Sequence, residues 1–177
     1  MWKVRKFSYN RLFISSLFNI YVDRKNVRFL KTDPKARYQG YMFYFKEGFC
    51  WSNVLTTYIK CRKKNKTVHS TESMTFFSQL ENIPEYYLIS VLNSSLIARY
   101  VDSFVNSTSH FTTGDAKLVP IVMPTEFALK EVKKIYNEAI EIKHKEFSGT
   151  ITETIARKSL ERIQESLDNC ISQLYGI

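Results

Sequence analysis

The sequence predicts an α+β fold, with a β-rich front half, central helices and a C-terminal antiparallel helical hairpin. Three observations predict it. Short aromatic and β-branched runs, punctuated by turn residues, occupy residues 41–79. Apolar side chains then switch to helical spacing between residues 83 and 106. Two long amphipathic stripes follow, separated by Ser148-Gly149. A chain of 177 residues suits one domain of ordinary size. Its 13 Phe, 11 Tyr and 2 Trp supply ample material for a core.

The opening residues carry the weakest signals. "RLFISSLFNIYV" (Arg11–Val22) reads equally as a short helix or a strand. "VDRKNVRFLKTDPKARYQG" (Val22–Gly40) is basic, with a turn expected at Asp33-Pro34. No basic amphipathic helix is read in this half. "YMFYFK" (Tyr41–Lys46) reads as a strand, Glu47-Gly48 as a turn, and "FCWSNV" (Phe49–Val54) as a second extended segment. "TTYIKCR" (Thr56–Arg62) alternates and is rich in β-formers. "KKNKT" (Lys63–Thr67) is a charged turn, and "SMTFFSQ" (Ser73–Gln79) is a further strand.

"IPEYYLISVLNSSLIARYVDSFVN" (Ile83–Asn106) places Tyr87, Leu88, Val91, Leu92, Leu96, Ile97, Tyr100, Val101 and Phe104 at helical spacing. Pro84 suits a first helical turn. Asn93, Ser94 and Ser95 predict a break and a new cap. A polar loop leads into "KLVPIVM" (Lys117–Met123), read as a buried strand pinned by Pro120 and Pro124. Gly114 is expected to allow a tight turn, and Asp115 to cap or brace the loop. Thr125 caps a helix whose apolar face is Leu129, Val132, Ile135, Tyr136, Ala139 and Ile142. Ser148-Gly149 stops it. Thr150 or Thr152 starts the last helix, with Ile155, Leu160, Ile163, Leu167, Ile171 and Leu174 in line. Residues 1–124 are therefore read as one unit, within which 1–39 give no clear pattern, and 125–177 as the hairpin. The hairpin stripes must be covered by each other, by the sheet or by another protein, a second copy included.

Charge is distributed unevenly. Residues 1–66 hold 16 Lys/Arg against 3 Asp/Glu, whereas residues 67–177 hold 10 against 14. A basic face of that kind suits a polyanion, because each neutralised phosphate releases condensed counterions. No apolar run is long enough to span a bilayer. Cys50, Cys61 and Cys170 are odd in number and form no CxxC pair, which fits free thiols in a reducing cytosol.

Sequence motifs for catalysis are missing. There is no GxGxxG, Walker loop, HExxH or GxSxG. His69, His110 and His144 stand apart without ligand spacing. Glu131-Val132-Lys133 and Glu141-Ile142-Lys143 have the spacing of a nuclease Glu-x-Lys, but on a helix they read as a solvated charged face. Asp33-Pro34 is followed by Lys35, so the Asn/Asp-Pro-Pro-aromatic motif of amino-methyltransferases is missing. With 5 Gly in the chain, no cofactor-cradling loop is expected. The chain alone is read as non-catalytic and free of metal.

Binding chemistry is concentrated in two places. "YIKCRKKNKTVHSTES" (Tyr58–Ser73) reads as a basic hairpin. Lys60, Arg62 and Lys64 would share one face and grip phosphates, with Lys63 and Lys66 at the tip. Arg62, Asn65, His69, Ser70 and Thr71 are candidates for reading base edges. Asn106, Ser107, Thr108, Ser109 and His110 are candidates from the second place, the loop before "KLVPIVM".

"KEGFCWSNV" (Lys46–Val54), "YYLISVLNSSLIARYVDSFVN" (Tyr86–Asn106), "STSHFTTGDAKLVPIVMPT" (Ser107–Thr125) and "IQESLDNCISQLYGI" (Ile163–Ile177) together resemble the C-terminal specificity domain of TaqI-like adenine DNA methyltransferases of type II restriction-modification systems. That family has a "G-[IVF]-x-[WF]" strand, an "LLNSxL" helix, a hydroxyl-rich segment running into "PixxP", and a helical tail, in the same order. The resemblance covers residues 40–177, and it implies that residues 1–39 are where a linker to a catalytic domain would lie. It implies a target-recognition domain that positions double-stranded DNA for a methyltransferase core, fused or separate. That core would bind S-adenosylmethionine and flip the adenine. Type I specificity subunits are a near relative. The alternatives are a protein-interaction module acting through the hairpin, and a small nuclease.

Overall fold

The computed structural model of the chain describes residues 24–35, 41–54, 58–66 and 73–177. Six α-helices and one three-stranded antiparallel sheet are found among them. The α+β class holds, but the described part of the front half is not β-rich: the strands there are β1 (Gly48–Ser52), β2 (Arg62–Lys64) and β3 (Ser73–Phe76). The sheet order is β2-β1-β3, so β1 is central and the other two each pair with it. Gly48 faces Lys64 and Cys50 faces Arg62 on one side, while Phe49 faces Phe76 and Ser52 faces Ser73 on the other. Gly48 is required at its place. A Cβ there would lie 2.6 Å from the Phe76 carbonyl oxygen and 2.8 Å from the Phe77 ring.

"YMFYFK" is not a strand. Tyr41–Phe43 forms a 3-10 turn and Phe45 takes φ 60°, so the chain curls before entering β1. A helix, α1 (Arg24–Thr32), precedes this turn in the basic segment where none was expected.

The central helices follow the spacing closely. Helix α2 runs Glu85–Leu92 behind Pro84, and α3 runs Ser95–Tyr100. Ser94 caps α3, accepting the Ile97 amide at 3.3 Å. The axis bends by 57° at this break. A π-helical turn, Val101–Val105, extends α3 and leaves Phe104 78 % exposed rather than in line with the core. The widened turn shifts its register off the 3.6-residue period.

"KLVPIVM" does not form a strand. A short capped helix, α4 (Thr113–Ala116), includes Gly114 in its first turn; a turn at Lys117 and Leu118 follows, then irregular chain to Met123. Pro120 and Pro124 remove two amide donors from that segment. Its carbonyls are taken by side chains: the Tyr87 hydroxyl donates to the Val122 oxygen at 2.6 Å, and the Tyr175 hydroxyl to Pro120 at 2.7 Å. Val119 is buried, but Leu118 and Met123 are exposed. Burial raises both phenols, Tyr87 and Tyr175, above their ordinary pKa.

The hairpin is as expected: α5 (Glu126–Phe147) and α6 (Glu153–Leu174), capped by Thr125 and Thr152. Gly149 between them takes φ 74°, the left-handed conformation a helix stop favours. Val132, Tyr136 and Ala139 on α5 meet Ala156, Leu160, Leu167 and Ile171 on α6, all buried. Helix α2 packs on α5, and α3 on α6. The stripes are therefore covered by each other and by the central helices, and one core runs continuously from Phe49 to Ile171. Ile155 departs from the expected stripe, at 53 % exposed. Among the described residues, no single helix is long and apolar enough to cross a membrane.

Candidate nucleic-acid interface

The polar loop is built by its own side chains, Asn106, Asp115 and also Thr108, whose Oγ1 accepts the His110 amide at 3.3 Å. The Asn106 amide donates to the His110 carbonyl at 3.0 Å and to Asp115 Oδ2 at 3.2 Å, and its Oδ1 accepts the Thr108 amide at 2.8 Å. Asp115 Oδ2 also accepts the Thr112 amide at 2.7 Å and the Thr112 hydroxyl at 2.8 Å, closing a capping box. The Thr112 backbone bond, with its hydroxyl and the Asn106 amide, holds the Asp115 carboxyl below its ordinary pKa. Asp115 is a brace, as expected. Asn106 spends its amide inside the loop, so it shapes the loop rather than presenting a base-edge contact of the kind expected of it.

The braced loop is fastened to the central strand. His110 bridges Val54, the Phe111 amide donates to the Asn53 oxygen at 2.9 Å, and the Trp51 indole Nε1 donates to the Phe111 oxygen at 2.9 Å. Phe111 is fully buried, 5.6 Å from the Trp51 ring between centroids. Ser107, Thr108, Ser109 and His110 remain exposed on this anchored platform. Ser109 Oγ lies 3.3 Å from His110 Nδ1.

The basic segment is arranged differently from expectation. It is not a hairpin, since β2 and β3 lie on opposite sides of β1. Lys60 takes φ 54°, which breaks the alternation that would have put Lys60, Arg62 and Lys64 on one face. Lys64 is buried; its ammonium donates to the Lys46 carbonyl at 2.7 Å, and burial pushes its pKa down. It ties the turn before β1 to β2 and is not placed to meet a phosphate. Lys63 is in the strand, not the tip, and is exposed; Lys66 and Asn65 are exposed beyond it. Arg62 and Lys60 are half-buried. His69, Ser70 and Thr71 lie outside the described residues.

Strand register relates the two places. Lys63 stands opposite Phe49, so both project from the same face as Trp51 and Phe76. Phe76 meets Phe49 and Trp51 edge-on, at 6.0 and 5.1 Å. An aromatic row thus connects exposed Lys63 to the Phe111 anchor. Arg62, opposite Cys50, belongs to the other face. From Gly48 to Val54 the strand direction covers at most about 20 Å, at ~3.3 Å per residue. Glu85 at the head of α2 is raised in pKa by burial, against the pull of the Lys63 charge.

The joint between sheet and hairpin is the Asn93-Ser94-Ser95 break. Gln164 donates to the Asn93 carbonyl at 3.2 Å, and Asp168 accepts the Ser95 amide at 2.7 Å. The sequence marks this break as a cap but not as a joint. An Asn inside an apolar helical run is the signal that points to one.

Of the two Glu-x-Lys triplets, both lie on α5; Lys143 is buried against Glu146 and the Phe147 ring rather than solvated. No group of three metal-ligating side chains occurs among the described residues. A groove of about 630 Å³ opens on the hairpin beside Phe127, Ile135, Cys170 and Leu174. No protein-family model matches the chain, and no curated protein is detectably similar to it.

Proposed function

We propose that the chain is a target-recognition domain for double-stranded DNA, of the TaqI-like specificity type. It serves an adenine methyltransferase of a restriction-modification system in the cytoplasm. The chain contributes recognition, and its partner core, fused or separate, contributes S-adenosylmethionine and the methyl transfer. The observation that carries this reading is the anchored loop: exposed hydroxyls and an imidazole at 107–110, held rigid by Asn106 and Asp115 and tied through Phe111 to Trp51. Base-edge hydrogen bonds need donors and acceptors in fixed register. Lys63 and Lys66, at the opposite end of the central strand, supply cations one to two groove widths away, taking a major groove of about 12 Å.

Binding-site selection on randomised duplexes tests the reading. Thr108→Ala and His110→Ala should change the preferred sequence with little loss of bulk affinity. Lys63→Ala and Lys66→Ala should weaken all duplexes alike and flatten the salt dependence. An unchanged preference in the first pair would refute the base-reading role. The groove beside Phe127, 74 % exposed, favours a second reading, in which the hairpin docks the partner core or another protein.

A further inference from the structure

We infer that α1 is a phosphate-gripping element that extends the duplex-binding surface beyond Lys63 and Lys66. The inference rests on the DNA-reading proposal and deepens it. Helix α1 contains Arg24, Lys25, Arg28 and Lys31, and no acidic residue. Lys25, Arg28 and Lys31 recur every three residues, so neighbours lie about 5–6 Å apart along one winding stripe. All three are exposed.

This charge pattern works against the helix that carries it. Like charges three apart repel. Basic residues in the first turn, with no acid beside them, oppose the positive end of the helix dipole. A row of phosphates along the stripe removes both penalties at once. An anionic occupant therefore stabilises the helix as well as binding to it.

Contacts lead from α1 to the cations on β2 and beyond it. The Lys31 ammonium sits 5.5 Å from the Tyr41 ring centre, and Lys46 sits 5.3 Å from that of Phe43, in the same 3-10 turn. The Lys46 carbonyl accepts the Lys64 ammonium on β2, next to Lys63. Lys31, Lys46 and Lys63 thus lie at one end of the molecule, with Lys66 two residues beyond β2 and with the Glu47 and Glu85 carboxylates close by. Phe43 is stacked on Phe77 with Lys46 also near its ring, which makes it a poor platform for stacked bases. What α1 itself offers is charge for a phosphodiester backbone, while the turn beside it exposes Tyr41, Met42 and Phe45.

A membrane surface is the competing polyanion. An interfacial helix needs a broad apolar face. On α1, Val27 and Leu30 are half-buried, which leaves Phe29 as its exposed large apolar residue.

The test uses the full chain and the triple variant Lys25→Gln/Arg28→Gln/Lys31→Gln. Affinity for a fluorescent duplex of about 20 base pairs is measured across a salt series, with vesicles of phosphatidylcholine and phosphatidylserine in parallel. The expected result is that the slope of log affinity against log salt falls by about 2 to 3, at ~0.9 for each phosphate that is no longer neutralised. Far-ultraviolet dichroism should show helicity gained on duplex binding by the native chain and not by the variant. Lys63→Ala/Lys66→Ala is the reference. If that double variant lowers the slope and the triple variant does not, the α1 assignment is overturned and the DNA reading stands. If the native chain binds no duplex, both fall. If the triple variant loses vesicle binding with an unchanged duplex slope, α1 is a membrane element and the inference is overturned.

Discussion

The side chain of Asn93 completes the backbone hydrogen bonding of Cys61, 32 residues earlier. Its Nδ2 donates to the Cys61 oxygen at 2.7 Å, and its Oδ1 accepts the Cys61 amide at 2.7 Å. Both residues are fully buried. The amide group thereby substitutes for a neighbouring strand at the point where β2 begins, and it does so from the bend between α2 and α3. Neither a carboxylate nor an apolar residue offers the same donor and acceptor.

Asn93→Ala leaves the Cys61 amide and carbonyl both unsatisfied in the core. At about 1–3 kcal/mol per buried orphan group, the loss should be about 3 kcal/mol or more. Asn93→Asp should fare no better, since it keeps the acceptor, loses the donor and buries a charge. Urea unfolding of the three proteins measures this. A loss under ~1 kcal/mol for Asn93→Ala would mean that the bonds are replaced by water. The buried Cys61 thiol, raised in pKa first by desolvation, offers a second readout. It should resist thiol reagents in the native chain and react in the variant.

The acid limb of stability should depend on Asp115. Its folded pKa lies below the ordinary 3.8, chiefly through the Thr112 backbone bond. A carboxyl lowered by folding stabilises the fold fully above its unfolded pKa, and that contribution is lost as pH falls through the lowered value. Asp115→Asn should therefore be less stable than the native chain at pH 6, and the gap should narrow below about pH 4. Thermal unfolding from pH 2 to 6 gives the comparison. A gap independent of pH would show that the hydrogen bonds matter and the charge does not.

Periodicity makes the helical half legible. Thr125, Ser94 and Thr152 cap at the places their positions relative to the apolar stripes predict, because capping and amphipathicity are local. The sheet is less legible. "KLVPIVM" has the composition of a strand, but its carbonyl partners are the hydroxyls of Tyr87 and Tyr175, 35 and 55 residues from the atoms they bind. No local pattern announces that. Lys64 resembles Lys60 and Arg62 only on the assumption of regular alternation, which the left-handed Lys60 breaks. Helix α1 is hard to see because a run of cations resembles a solvated loop, although Lys and Arg are good helix formers and the 25, 28, 31 spacing is present. In the candidate site, the hydroxyl loop is visible from its composition. Its anchor is not, because the Trp51–Phe111 bond spans 60 residues.

Trp51→Phe removes the indole donor and leaves the Phe111 carbonyl without its buried partner. The ring contacts with Phe76 and Phe111 are largely retained. The cost to global stability should be about 1–3 kcal/mol. The more informative effect is local. The Phe111 amide donates to Asn53, so its hydrogen exchange reports whether the loop remains seated on the strand end. Exchange there should accelerate more than at the Ala139 or Leu167 amides of the hairpin, which report the core. In binding-site selection the variant should retain duplex affinity but return a broader set of sequences, because Thr108 and His110 lose their fixed register while Lys63 and Lys66 keep theirs. If exchange rises equally everywhere, Trp51 supports the core and not the loop in particular. If the loop loosens and sequence preference stays as narrow as in the native chain, the loop is not where the bases are read.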